Sequence, residues 1–158
     1  MLLNLPAEIV TFLVAAMPVS ELRGSIPLAI GVYDLSVSTA LFWSILGNIF
    51  AVVLVLWLLE PFSKYLSHHS YFFNRFFNWL FERARKKHTK SFDFLGSFAL
   101  ILFVAIPLPI TGGWTGSVAA FVFGVSFKKA LPLISIGILI AATIVTLATL
   151  GIINFLGV

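Results

Sequence analysis

The sequence predicts an all-α integral membrane protein. It is expected to form two inverted repeats, each a broken, re-entrant helical hairpin followed by one transmembrane helix. A cytoplasmic amphipathic interfacial helix is expected to join them. Three observations carry this expectation: an apolar composition with segregated charge, two Pro/Gly-rich interruptions of apolar sequence, and the same order of elements in both halves.

The chain has 158 residues, 60% of them hydrophobic and 10% charged, with a mean hydropathy of +1.08. Soluble domains carry roughly 25% charged residues, so a bilayer is the solvent this composition suits. Seven of the ten Lys and Arg lie between Lys64 and Lys90. The absence of cysteine removes disulfides and thiolate metal sites from consideration. The start, MLLNLPAEIV, lacks the basic flank of a signal peptide and is expected to be mature structure.

Apolar blocks fall at about 2–20, 24–33, 39–59, 94–110, 114–127 and 129–156. Only 39–59 and 129–156 comfortably reach the ~20 residues that cross the hydrocarbon. The other four meet in pairs at MPVSELRGSIP (17–27) and at PLPITGGWTGS (107–117) with the preceding Ile106. Pro18, Pro27, Pro107 and Pro109 are the expected hairpin breaks, because proline removes a helix donor and crowds the preceding turn. One membrane domain, 1–158, then divides into repeat 1 (1–60; hairpin 2–33, span 39–60), a connection at 61–92, and repeat 2 (93–158; hairpin 93–127, span 129–156).

The halves match at Met17-Pro18 with Ile106-Pro107, at Gly24 with Gly113, at Ala40-Leu41 with Ala130-Leu131, and at Gly47 with Gly137. Short, Pro/Gly-interrupted apolar segments in corresponding positions are the usual sequence pointer to a transporter's binding site. The basic 61–92 connection belongs in the cytoplasm. Span 39–60 then enters from outside, Asp34 lies outside where no Lys or Arg occurs, and Lys128-Lys129 return to the cytoplasm. Both chain ends come out on the outer side, and the two repeats have opposite orientations.

Within the connection, Phe72, Phe73, Phe76, Phe77 and Leu80 share one helical face, and Asn74, Asn78, Glu82 and Arg85 another. An aromatic apolar face with a basic end describes a helix lying in the membrane interface. His68, His69 and His88 read as linker residues, since no carboxylate stands at ligand spacing; no metal and no cofactor are expected.

The joints hold the candidate site. Glu21 and Arg23 are the charges of the first joint, and an ionisable residue at membrane depth is by default a functional hypothesis. Glu21 is the expected protonatable group and Arg23 a fixed positive charge; mutual pairing at the hairpin tip is the alternative reading. Gly24-Ser25 is expected to precede a short helix starting near Pro27, with Ser25 as N-cap. Gly112-Gly113 should precede another, capped by Thr115 or Ser117. Helix N-termini attract anions, and glycines let a substrate approach the backbone. Thr111 and Trp114 complete the second tip, and Asn48 in the first span either lines the cavity or bonds between helices.

ELRGSIPLAIG (21–31) and PLPITGGWTGS (107–117) resemble the paired signatures of the small multidrug export protein family, which is similar to the wider DedA (VTT-domain) superfamily. The resemblance covers essentially the whole chain. It implies two re-entrant hairpins in an inverted repeat, a secondary-transport role and a bacterial or archaeal cell membrane. DedA-like relatives use acidic and arginine residues at the hairpin tips; Glu21 and Arg23 match the first pair, while the second tip carries Thr, Gly and Trp instead. The expected function is proton- or ion-coupled transport of an anionic or amphiphilic substrate, such as a lipid phosphate, between the tips. A passive scramblase or channel, a multidrug cation exporter, and a non-transporting scaffold are the alternatives. An enzyme is not expected. Partners are membrane lipids and the substrate, with no nucleic acid; a homo-oligomer would suit so few helices.

Overall fold

A computed structural model of the chain describes residues 5–69, 90–108 and 111–156. Among them the regular structure is helical, with no strand. In chain order the helices are α1 (Ala7–Ala16), α2 (Glu21–Gly31), α3 (Val37–His69), α4 (Lys90–Ala105), α5 (Gly113–Val122) and α6 (Phe127–Leu156).

Local chemistry explains most boundaries. α1 stops because Met17 precedes Pro18 and takes an extended ψ of 141°, the conformation proline imposes on its predecessor. The Ser20 hydroxyl then donates to the freed Val14 carbonyl at 2.7 Å. α3 opens on Ser36, whose Oγ accepts from the Thr39 N–H at 3.3 Å, an N-cap bond. α4 ends at Ala105, two residues ahead of Pro107. α5 closes on Gly124 at φ 71°. The Gly124 N–H reaches Phe121 O at 3.0 Å and the Val125 N–H reaches Ala120 O at 2.9 Å, so the last carbonyls are paired in a Schellman motif.

The short helices cannot cross a bilayer. α1 and α5 have 10 residues each and α2 has 11; at ~1.5 Å per residue they are about half the ~30 Å hydrocarbon thickness. Val37–Leu59 and Phe127–Phe155 do reach that length, with mean hydropathies of 2.3 and 2.5. Their outward faces carry Phe42, Phe50, Trp57, Ile144, Leu147 and Phe155, all exposed, which suits lipid rather than water.

α3 and α6 pack against each other at the centre. α1 lies on α3 and α4 on α6, while α2 and α5 each contact both long helices. Close approach is set by glycine: a Cβ on Gly47 would strike the Phe12 carbonyl of α1, and one on Gly137 would lie 2.7 Å from Val104 Cβ of α4. The core joins Ile26, Val52, Val104, Ala120, Ile134 and Ile138.

Burial follows one register in the two long helices. Ala40, Ser44, Gly47, Asn48, Ala51, Val52 and Val55 are buried in α3, and so are Ala130, Ile134, Gly137, Ile138, Ala141, Ala142 and Val145, position for position, in α6. Glu21, Leu22, Ser25, Ile26 and Ala29 correspond in the same way to Gly112, Gly113, Gly116, Ser117 and Ala120.

Several expectations change. Pro27 is no break: it lies inside α2, whose start is Glu21, and the buried Ile26 and Ala29 hold the turn around it. Tertiary packing outweighs one lost backbone bond. Ser25 consequently cannot be an N-cap. The tips also align as Glu21 with Gly112 rather than Gly24 with Gly113, because the second break is longer. α3 runs past residue 60 through Pro61 to His69, so the connection begins as continued helix. The interfacial-helix residues 72–85, His88 and Pro109 lie outside the described residues.

Candidate functional site

The break at 17–20 and the break at 106–112 bring the starts of α2 and α5 face to face. Glu21 opens α2 at φ 44°, a left-handed backbone that costs a non-glycine residue roughly 1–2 kcal/mol. At the corresponding place in the other tip, Gly112 has φ 152°. The unusual backbone turns the Glu21 side chain across the junction. Its Oε1 accepts the Trp114 backbone N–H at 3.1 Å, 93 residues away. A Cβ on Gly112 would overlap this carboxylate, so glycine is required there by contact as well as by φ.

Gly112 caps α5 without any side-chain bond of its own. The unpaired N–H donors of the first turn and the helix dipole favour an anion, and the Glu21 carboxylate supplies it from the other half of the chain. The expected caps Thr115 and Ser117 do other things. Thr115 is exposed and donates to Gly112 O at 3.4 Å; Ser117 is buried and donates to Gly113 O at 2.7 Å. Both hydroxyls face back along the helix because they sit inside its first turns.

Two long side chains cross in opposite directions. The Arg23 guanidinium donates to the Thr111 carbonyl, and the Trp114 indole N–H donates to the Ala16 carbonyl at 3.1 Å. Each tip therefore bonds a main-chain oxygen at the other's break. Arg23 also stands 3.9 Å from Glu21 Oε2. Thr111 folds its own loop, its hydroxyl accepting the Leu108 N–H at 3.0 Å and donating to the Ile106 carbonyl.

A cleft of about 250 Å³ lies behind this clasp, lined by Glu21, Leu22, Arg23, Asn48, Pro107, Gly112, Gly113 and apolar residues of α4 and α6. Its enclosed part is water-sized, too small for an organic substrate, so the junction is closed. Asn48 is 1% exposed, and neither its Nδ2 nor its Oδ1 has a partner among the described residues. A Cβ on Gly113 would strike that Oδ1.

Glu21, Arg23, Thr111, Gly112, Gly113, Trp114, Asn48 and Pro107 thus converge as the sequence suggests. Gly24, Ser25, Thr115 and Ser117 do not line the cleft, and Pro18 is exposed in the first break. Sequence reasoning missed Ser44, buried with its hydroxyl unpartnered; its spacing of one helical turn from Asn48 was the available signal. It also missed the Ala16 carbonyl, for which a sequence offers no signal at all.

Two long apolar helices around a buried polar junction suit an all-helical membrane protein. Residues 21–144 match the family described as "Putative small multi-drug export protein", and the chain belongs to that family. The description is that of a membrane transporter kind. No curated protein and no solved structure matches the chain.

Proposed function

We propose that the chain is a proton- or ion-coupled secondary transporter whose substrate site is the junction of two hairpin tips near the bilayer midplane. Each half is a re-entrant hairpin followed by one membrane-spanning helix, and the halves have opposite orientations in a prokaryotic cell membrane, with the 61–92 connection cytoplasmic. The shared burial register of α3 with α6 and of α2 with α5 supports the repeat. The basic character of 61–92 supports the orientation.

One observation carries the reading: the Glu21 carboxylate occupies the N-terminus of α5. An ionised Glu21 fills the anion seat with the chain's own charge. Once Glu21 is protonated it holds that seat less strongly, and an anionic group on an amphiphile, such as a lipid phosphate, takes its place beside Arg23. Proton and substrate binding are then linked, since each favours the state the other needs. The Arg23 and Trp114 bonds release as the junction opens.

Proteoliposomes containing a phosphorylated amphiphile provide the test. Uptake should follow an imposed proton gradient, and Glu21→Gln should remove the gradient dependence. Unchanged transport in both Glu21→Gln and Arg23→Ala would sink the site assignment. The family description favours a second reading, export of drug cations in exchange for protons at Glu21. Under it, the same vesicles would move a lipophilic quaternary ammonium ion and not the phosphate. Gradient-independent lipid movement would instead mark a passive scramblase, and movement of neither compound a scaffold.

A further inference from the structure

Four buried side-chain polar atoms among the described residues have no hydrogen-bond partner: Ser25 Oγ, Ser44 Oγ, Asn48 Nδ2 and Asn48 Oδ1. All belong to the first half. Their counterparts in the burial register of the second half are Gly116, Ile134 and Ile138, which offer no side-chain polar atom. We propose that protons reach Glu21 through the first half alone, along a thread of water held by Asn48, Ser44 and Ser25 and opening on the face that carries Asp34. The inference rests on the reading of Glu21 as the protonatable group, and it assigns the side from which that group is served.

Leaving a buried donor or acceptor unpaired costs ~1–3 kcal/mol. Three such residues in one small region describe a wetted path rather than a dry core. Asn48 and Glu21 line the same cleft, against the consecutive glycines 113 and 112. Ser44 lies one turn of α3 from Asn48, toward the start of that helix. Ser25 lies one turn of α2 from Glu21, toward the end of that one. Both steps lead to the same loop, residues 32–36. The shared register pairs Ser25 with Gly116 and Ser44 with Ile134, and in the second half a Cβ on Gly116 would sit 3.8 Å from Ile134 Cγ1.

The two mouths differ in charge. Asp34 is exposed in the 32–36 loop, and no Lys or Arg occurs between Arg23 and Lys64. The corresponding turn of the second half leads into the exposed Lys128 and Lys129. An acidic mouth concentrates protons and a basic one repels them. At the inner end, Glu21 faces Arg23 from its own helix, the Trp114 N–H from α5, the Asn48 amide from α3, and apolar Ile138, Ala141 and Val145 from α6. Arg23 is the one charged neighbour in that lining.

The chain contains no cysteine, so single thiols report without a background. Ser25→Cys and Ser44→Cys, nearly isosteric, are placed in oriented proteoliposomes of the full chain, with Ser38→Cys and Lys129→Cys marking the two faces. Ag⁺, a thiol reagent small enough to follow a file of water and unable to cross lipid, is added from each side, and protection from alkylation after unfolding reports its reaction. Modification of both serine sites from the Ser38 face only, with Ile134→Cys unreactive from either face, is the expected result. Lack of reaction at both sites while the face markers react would overturn the proposal. So would reaction from the Lys129 face, or equal reaction of Ile134→Cys. Hydroxyl-radical footprinting of the unaltered chain covers the case of a variant that does not fold, with labelling of Leu22 but not Ile134 expected and the reverse refuting. Neither measurement involves transport, so their outcome is separate from that of Glu21→Gln.

Discussion

Replacing Gly47 by alanine should weaken the fold, although local propensity argues the opposite. In an exposed helix interior, Gly→Ala gains ~1 kcal/mol of helix preference. The alanine Cβ at residue 47 would drive into the Phe12 carbonyl, with Ala15 Cβ at 3.0 Å. A main-chain oxygen cannot rotate away, so α1 must lift from α3. Overpacking of this kind costs ~1–3 kcal/mol, and the backbone obstacle places it at the upper end. The net expectation is a loss of about 2 kcal/mol, or roughly 30-fold in the folding equilibrium. Gly151 is the internal control: it lies in α6, and a Cβ there would meet nothing within 4 Å, so Gly151→Ala should gain about 0.5–1 kcal/mol. Equilibrium unfolding in mixed micelles, followed by tryptophan fluorescence, measures both. A Gly47→Ala protein as stable as Gly151→Ala would refute the packing of α1 on α3.

Gly137→Ala should weaken the protein in the same assay by about 1–3 kcal/mol, since its Cβ would lie 2.7 Å from Val104 Cβ, which moves only with the backbone of α4, and 3.0 Å from the Ile101 carbonyl. Asn48→Leu should abolish transport in the proteoliposome assay, because it removes the amide that lines the cleft beside Glu21. Trp114→Phe deletes the indole donor to Ala16 O and should cost ~1 kcal/mol of stability, read by thermal unfolding. Ser117→Ala should change stability by no more than about 0.5 kcal/mol, since its hydroxyl only bonds back to Gly113 O within α5.

Much of the architecture could be read without coordinates. The spans 39–59 and 129–156 are long apolar runs, and runs of that length have few alternatives to helix in a membrane. Pro18 ends α1 and Pro107 follows the end of α4, because the ring's steric effect is local. Pro27 misled for the same reason. Its local preference is real, but the buried neighbours Ile26 and Ala29 outweigh it, and that packing depends on residues of α3 and α6.

The sequence by itself determined that the chain is apolar, helical and twice interrupted, and that Glu21 and Arg23 are the charges of the first interruption. These are properties of neighbouring residues, and composition and spacing record them. The tertiary structure decided what those charges do. Glu21 seats on the N-terminus of α5, Arg23 reaches the Thr111 carbonyl, and Trp114 reaches the Ala16 carbonyl, across separations of 93, 88 and 98 residues. Contacts of that range depend on how the two halves dock, and no local pattern encodes docking. The glycine pair 112–113 was legible as a break, but its purpose, making room for a carboxylate and an amide from the other half, appears only once the halves meet.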